Sequence, residues 1–85
     1  LNWPTAGSTF RNPPNHFAAK LIEECGLKGF TIGGAQISNK HANFIINLGD
    51  ASASDIEKLI DYTIKKVLEI TNICLETEIK IIGEY

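Results

Sequence analysis

The chain has 85 residues, a formal net charge of −2, 44% hydrophobic residues and 21% charged residues. This length predicts one domain with a modest core, and the small charge excludes a general electrostatic attraction to nucleic acid or an anionic membrane. No apolar run approaches the length of a membrane span, and no secretory signal pattern opens the chain. Because it begins at Leu1 and contains no methionine, we expect a piece of a longer protein.

The two cysteines, Cys25 and Cys74, are too few for a disulfide scaffold. We expect both to be free thiols in a reducing compartment, which predicts a cytoplasmic protein. With His16 and His41 they form a possible set of four metal ligands, but no two of them have the close spacing of a zinc finger. The sequence therefore predicts no metal site.

The most unusual stretch near the amino end is GSTFRNP at residues 7–13. Gly7 allows close backbone approach, Ser8 offers a hydroxyl, and Pro13 favours an extended conformation for the Asn12 amide. On composition alone, this stretch is typical of a turn with a few hydrogen bonds.

A first amphipathic helix is predicted over about residues 16–25, with Asn15 as its N-cap. Gly26 is placed as the glycine that follows a helix end, and Leu27 can fold back onto that end. The apolar side chains recur at spacings of three and four, which predicts core packing for Phe17, Ala18, Leu21, Ile22 and Cys25.

Short strands and turns are predicted over residues 27–48. The glycines lack the G-x-G-x-x-G order of a dinucleotide site, and Gly33-Gly34 indicates a tight turn, a bulge or a close backbone approach. Residues 36–43 favour a strand that leads into a polar loop, and 44–48 favour a buried strand. Within that loop, His41 is more typical of a structural histidine than of a site residue.

A second helix is predicted over about residues 54–71, opened by a capping box at Ser54-Asp55-Ile56-Glu57. Its charged side should face solvent, with Asp61 and Lys65 paired one turn apart. Its predicted buried face consists of Ile56, Leu59, Ile60, Thr63, Ile64, Val67 and Ile70.

Residues 73–83 predict a last strand, in which Leu75, Thr77, Ile79 and Ile81 share the buried side. Glu78 then points away from the core, where it is either a plain surface carboxylate or a group that meets a ligand or another domain. The order of elements predicts an α+β fold, with two amphipathic helices packed on a small, mainly antiparallel sheet of three to four strands.

Five ordered blocks of this sequence resemble the C-terminal domain of the UDP-N-acetylenolpyruvoylglucosamine reductase family. The blocks cover nearly all of the chain and have the family's spacings, so together they are more specific than any one alone. They are AGSTFRNP at 6–13, AKLIE at 19–23 with GLKG at 26–29, IGGA at 32–35, SNKHANF at 38–44, and LETEI at 75–79 with IG at 82–83.

The resemblance implies part of a flavoenzyme of peptidoglycan precursor synthesis, which uses NADPH to reduce UDP-N-acetylglucosamine enolpyruvate to UDP-N-acetylmuramate. FAD would lie in two preceding domains that this chain does not contain. We therefore expect residues 1–85 to form the substrate-binding domain, to be inactive alone, and to bind neither cofactor. Its expected partners are the substrate and those flavin domains, not nucleic acid or a membrane.

Specific roles follow from the resemblance, residue by residue. Ser8 falls on the family's proton-donating serine, and Glu78 falls on a carboxylate that holds or polarises the substrate carboxylate. Asn12 matches a substrate-contacting residue, and His41 a polar ligand-facing position. Arg11 lies where other members of the family often have Lys or Gln, which implies a surface residue or a neighbour of the substrate diphosphate.

A second hypothesis is a non-catalytic α+β module that binds a partner domain or a small regulator. The two hypotheses differ in one geometric expectation. An enzyme domain requires Ser8, Asn12 and Glu78 to converge on one concave patch, whereas a binding module gives them no reason to approach each other.

Overall fold

The computed structural model describes residues 9–78, in which two helices pack against one antiparallel sheet of three strands. The predicted α+β fold is confirmed. In chain order the elements are α1 (Ala18–Glu24), β1 (Thr31–Ile32), β2 (Ala35–Ile37), β3 (Ile45–Asn47) and α2 (Ala53–Thr71). Within the described range, no helix is both long and apolar enough to cross a bilayer.

The sheet has the strand order β1-β2-β3, and the tight turn predicted at Gly33-Gly34 joins β1 to β2. Gly33 has a φ of 57°, which favours glycine, and Gly34 lies where a Cβ atom would come within 2.6 Å of the Ala51 backbone nitrogen. The glycine pair therefore provides a tight turn and allows the loop before α2 to pack closely against it.

Helix α2 begins one residue earlier than predicted, and its capping box lies two residues earlier. Ser52 is the N-cap, its hydroxyl accepts a hydrogen bond from the Asp55 amide at 3.0 Å, and Asp55 accepts one from the Ser52 amide. The prediction that placed the box at Ser54 and Glu57 is wrong, because Asp55 also bonds the Gly34 amide and so fixes Ser52 as the cap.

The buried face of α2 is confirmed for its central positions, Ile56, Leu59, Ile60, Thr63 and Val67. Ile64 is only half-buried against the core, and Ile70, in the last turn of the helix, is 55% exposed, so the prediction of burial is wrong for these two positions. The predicted ion pair between Asp61 and Lys65 is present at 3.0 Å.

Helix α1 is shorter than predicted, and the prediction of Asn15 as its N-cap is wrong. Asn15 has a left-handed φ of 66°, and Phe17 occupies the cap position without any side-chain hydrogen bond. Phe17 is 68% exposed rather than buried, since the turn closed by the His16 amide and the Pro13 carbonyl directs it outward. At the other end, Gly26 and Leu27 form the predicted helix stop through backbone bonds to Glu23 and Ile22.

One hydrophobic core fills the space between the helices and the sheet. Cys25 is half-buried at the edge of this core, where burial was predicted, and both cysteines are free as expected. The most deeply buried large apolar side chains of the core are Phe10, Ile22, Ile37, Ile45, Ile56, Leu59, Leu75 and Val67.

The two ends of the described chain pair with each other in an antiparallel bridge between Phe10 and Thr77. Leu75 is buried as predicted, but Thr77 is exposed, and residues 73–78 form this single bridge rather than a strand. The rest of the predicted last strand, at 79–83, lies outside the described residues.

Candidate functional site

Three stretches that are distant in sequence meet at Thr9. The Thr9 amide donates a hydrogen bond to the Asn43 carbonyl at 2.7 Å, and the Thr9 carbonyl accepts one from the Glu78 amide at 2.8 Å. Thr9 itself is only 2% exposed. The Thr9 backbone is therefore held by one hydrogen bond to Asn43 and another to Glu78.

The Asn43 side chain binds the backbone of Phe10 in two directions. Its Oδ1 accepts a hydrogen bond from the Phe10 amide at 2.8 Å, and its Nδ2 donates one to the Phe10 carbonyl at 2.9 Å. Asn43 is 6% exposed, so both polar ends of its amide are satisfied inside the protein. Sequence reasoning assigned this residue no role, although a polar residue between Ala42 and Phe44 could have indicated a buried hydrogen-bonding position.

Glu78 has an exposed side chain, as predicted, and its backbone lies against Thr9. Ser8 lies outside the described residues, so the expected convergence of Ser8 and Glu78 stays a prediction. Because Thr9 directly follows Ser8 in the sequence, the bond between Thr9 and Glu78 joins the Glu78 backbone to the segment that leads to Ser8.

Arg11 and Asn12 are brought together at one cavity of about 260 Å³, lined also by Pro13, Pro14, Cys74 and Glu76. The Arg11 amide bonds the Glu76 carbonyl at 2.8 Å, which links this cavity to the same pairing of chain ends. The Asn12 Oδ1 accepts a hydrogen bond from the Ala18 amide at 2.9 Å, so its Nδ2 is the group left to face a ligand.

His41 is exposed and lies in the turn between β2 and β3, two residues before Asn43. Its amide donates to the Ser38 hydroxyl at 3.2 Å, and its ring is tilted against Phe44 with 5.4 Å between ring centroids. His41 does not line the cavity at Arg11 and Asn12. The structure therefore places His41 in the loop whose Asn43 carbonyl binds the Thr9 amide, and not in that cavity.

The glycine turn does not fit the diphosphate of FAD or NADPH. The Gly34 amide, which a phosphate would need, already donates to the Asp55 carboxylate at 3.2 Å. This bond and the one from Ser52 lower the pKa of Asp55, so the group beside the turn is an anion that repels phosphate. In residues 9–78, moreover, no group of three or more His, Cys, Asp or Glu side chains is arranged to hold a metal ion.

Comparison with known proteins identifies the family. The model of the family described as "UDP-N-acetylenolpyruvoylglucosamine reductase, C-terminal domain" matches residues 1–82. This chain belongs to that family. The resemblance seen in the sequence blocks is thereby confirmed.

Relatives of the chain share this name. The UDP-N-acetylenolpyruvoylglucosamine reductase of Thiobacillus denitrificans is 61% identical over 84 residues, which are 99% of this chain and 26% of the relative. That of Caldicellulosiruptor bescii is 61% identical over 85 residues, or 100% of this chain and 27% of the relative. The chain thus spans about a quarter of the length of these reductases.

A solved structure shows the same fold. The crystal structure of UDP-N-acetylenolpyruvylglucosamine reductase from Thermus caldophilus matches with a TM-score of 0.73 and 45% identity. The match covers 88% of this chain and 26% of that protein. The fold described above is therefore that of a domain found within a larger reductase.

Proposed function

We propose that this chain is the substrate-binding and proton-donating domain of a reductase that converts UDP-N-acetylglucosamine enolpyruvate to UDP-N-acetylmuramate in peptidoglycan precursor synthesis. The observation that supports this most directly is the hydrogen bond between the Glu78 amide and the Thr9 carbonyl. It joins the segment following Ser8 to the residue that matches the family's carboxylate. Because the chain belongs to this family, the pairing favours an enzyme domain, in which Ser8 and Glu78 share a site, over a non-catalytic binding module.

FAD and NADPH would be held by the preceding domains that the resemblance implies, and the Gly34 amide of this chain is bonded to Asp55 and does not offer them a diphosphate site. When bound there, the reduced flavin supplies the hydride that adds to the methylene carbon of the enolpyruvyl group. The task left to this domain is to bind the nucleotide sugar and complete the reduction with a proton. The two free thiols fit a reducing compartment, and we place the reaction in the cytoplasm.

Ser8 is proposed as the proton donor. Hydride addition at the methylene carbon leaves negative charge on the carbon beside the carboxylate, and a proton at that carbon completes the product. A serine hydroxyl is a weak acid, so its contribution depends on placement and on the surrounding charge. The fixed backbone of the adjacent Thr9 supplies the rigid attachment that such placement requires.

Glu78 is proposed to hold or polarise the substrate carboxylate as it gains enolate character. Two carboxylates placed together would repel each other, so this role requires a positive group between them. The resemblance gives that role to an arginine of the preceding domains. The exposed side chain of Glu78 is available to such a partner.

Arg11, Asn12 and His41 are proposed as substrate contacts. Arg11 and Asn12 line the same cavity, where a guanidinium can neutralise a diphosphate and an amide can donate to its oxygens. Glu76 lines it too and would repel an unscreened phosphate, so we place the diphosphate on the Arg11 side. His41, outside this cavity, would contact another part of the nucleotide sugar.

The experiment is a Ser8→Ala substitution in the full-length reductase that carries this domain, with Ser54→Ala on the exposed first turn of α2 as the matched control. In Ser8→Ala, NADPH should still reduce the flavin at the normal rate, whereas substrate reduction should be lost and folding preserved. Substrate turnover near the normal rate would exclude Ser8 as the acid. If the unaltered protein does not turn over this substrate at all, the binding-module hypothesis replaces the proposal.

A further inference from the structure

We propose that Asn43 is the positioning residue of this domain, fixing the backbone segment from which Ser8 acts and against which Glu78 is held. This inference rests on the proposed function and adds to it a residue that touches no substrate.

The Asn43 side chain forms hydrogen bonds with both backbone polar groups of Phe10. A buried amide side chain satisfies both the amide and the carbonyl of one residue, at 2.8 Å and 2.9 Å. A neighbouring β-strand would normally provide this pair of bonds, with backbone groups of its own. Asn43 thus substitutes for a strand on one edge of the segment at 9–11.

The second observation is a continuous series of backbone bonds through Thr9. The Asn43 carbonyl accepts from the Thr9 amide, and the Thr9 carbonyl accepts from the Glu78 amide. With the two side-chain bonds to Phe10, Asn43 makes three hydrogen bonds to two consecutive residues. Movement of Asn43 would therefore move Thr9 and the attachment points of Ser8 and Glu78 together.

The third observation is the rigid support of Phe10, whose side chain is 2% exposed and belongs to the core. The burial of its ring in the core and the Asn43 bonds to its backbone both hold this segment in place. A serine that acts as a weak acid depends strongly on its placement, and a displacement of about 1 Å can reduce a rate by about 10²-fold. We therefore expect the loss of Asn43 to slow the step in which the proton is transferred to the substrate.

The test compares Asn43→Leu and Asn43→Asp in the full-length reductase. Leucine is of similar size but can bond neither backbone group of Phe10. Aspartate keeps an acceptor for the Phe10 amide, but only its neutral acid form can also donate to the Phe10 carbonyl. Two controls are Asn39→Ala, an exposed amide in the same loop, and Thr63→Val, which removes a buried hydroxyl bonded within α2.

In Asn43→Leu, substrate reduction should slow by about 10²-fold, while NADPH reduces the flavin at an unchanged rate. Asn43→Asp should approach the unaltered rate at acidic pH and lose rate as rising pH ionises the new carboxyl. Asn39→Ala should resemble the unaltered protein. Thr63→Val should lower the unfolding temperature without slowing substrate reduction, which separates positioning from general stability.

A double substitution then links Asn43 to Ser8. If Asn43 acts through Ser8, Asn43→Leu should add little to the loss already caused by Ser8→Ala. Normal turnover by both Asn43 variants, with Ser8→Ala inactive, would overturn the positioning role and leave the proposed function intact. Normal turnover by Ser8→Ala would instead overturn the proposed function itself. A slowing of Thr63→Val equal to that of Asn43→Leu would also contradict the positioning role.

Discussion

Asn12 accepts a hydrogen bond from the Ala18 amide at 2.9 Å, and so caps α1 from six residues away. Phe17, the residue at the cap position, makes no side-chain bond to the helix. One side chain thus serves the start of α1 and, in the proposed function, the substrate. The two roles would use different atoms, because Oδ1 is bound to the helix and the proposed substrate contact falls to Nδ2.

We expect Asn12→Ala to destabilise the protein by about 1 kcal/mol, the usual cost of losing a helix cap. Asn15 is the matched control, because it has a left-handed backbone and is not the cap. Asn15→Gly should leave stability unchanged or raise it slightly, since glycine adopts that backbone without cost. Denaturant unfolding midpoints measure both, and a lower midpoint for Asn15→Gly than for Asn12→Ala would contradict the cap assignment.

The Asp55 carboxylate predicts a stability that depends on pH. Hydrogen bonds from Gly34 and Ser52 lower its pKa in the folded protein, so the group contributes stability in full above the pKa it has when unfolded. That contribution is lost as the pH falls through the lower, folded pKa. Asp55→Asn should lower the unfolding temperature most at neutral pH, with the difference shrinking in acid.

The control for this measurement is Asp61→Asn, which removes an exposed carboxylate that is paired with Lys65 on the surface of α2. It should shift the unfolding temperature little at any pH. A difference between Asp55→Asn and the unaltered protein that stayed constant from neutral to acidic pH would show that the charge of Asp55 does not stabilise the fold.

Gly33→Ala should destabilise the protein more than Gly26→Ala. Both glycines have positive φ values, of 57° and 74°, so alanine is strained at either position. A Cβ atom at Gly33 would also lie 2.3 Å from the Asp55 carboxylate, whereas nothing lies within 4 Å of one at Gly26. Thermal unfolding of the two variants measures the difference, and equal losses would show that Asp55 moves away without cost.

Leu59→Ala should cost about 2–5 kcal/mol, because this side chain is fully buried and its loss leaves a cavity. Leu68 is the matched control on the same helix, since it is 42% exposed. Leu68→Ala should cost well under half as much. Free energies of unfolding from denaturant titration test this pair, and similar costs would contradict the orientation described for α2.

The two thiols should differ in their reaction with an alkylating reagent. Burial, together with the nearby Glu24 carboxylate, raises the pKa of the Cys25 thiol, so little of the reactive thiolate forms at neutral pH. Cys74 is exposed and should be labelled first. Mass spectrometry of peptides labelled at increasing pH tests the order, with Cys25→Ser as control. Faster labelling of Cys25 at neutral pH would contradict it.

Local patterns were sufficient to predict α2, because its apolar positions repeat over 19 residues. They led to Ser54 as its cap, which is wrong, because Ser52 is likewise followed three residues later by an acid and is the cap in the structure. The choice depends on the Gly34 amide, which lies 21 positions from Asp55 in sequence. Only the folded arrangement of the hairpin supplies that contact.

The candidate site was predicted only in part for the same reason. The sequence blocks gave Asn12 and Glu78 roles that stay predictions, and nothing local predicts that Asn43 bonds Phe10 across 33 positions. The exposure of Phe17 was missed because its spacing fits the apolar stripe, while the turn at Pro13 redirects it. Periodicity describes one element at a time, whereas these contacts are made between elements.

The bridge between Phe10 and Thr77 has a kinetic consequence. It closes a loop that contains every helix and strand of the described chain, so it has the largest entropic cost of closure and should form late in folding. By the same reasoning, it should open first when the protein is warmed. Under the proposed function, the activity of the full-length reductase would then fade at temperatures where the hairpin and helices are still intact, and would return on cooling without complete refolding.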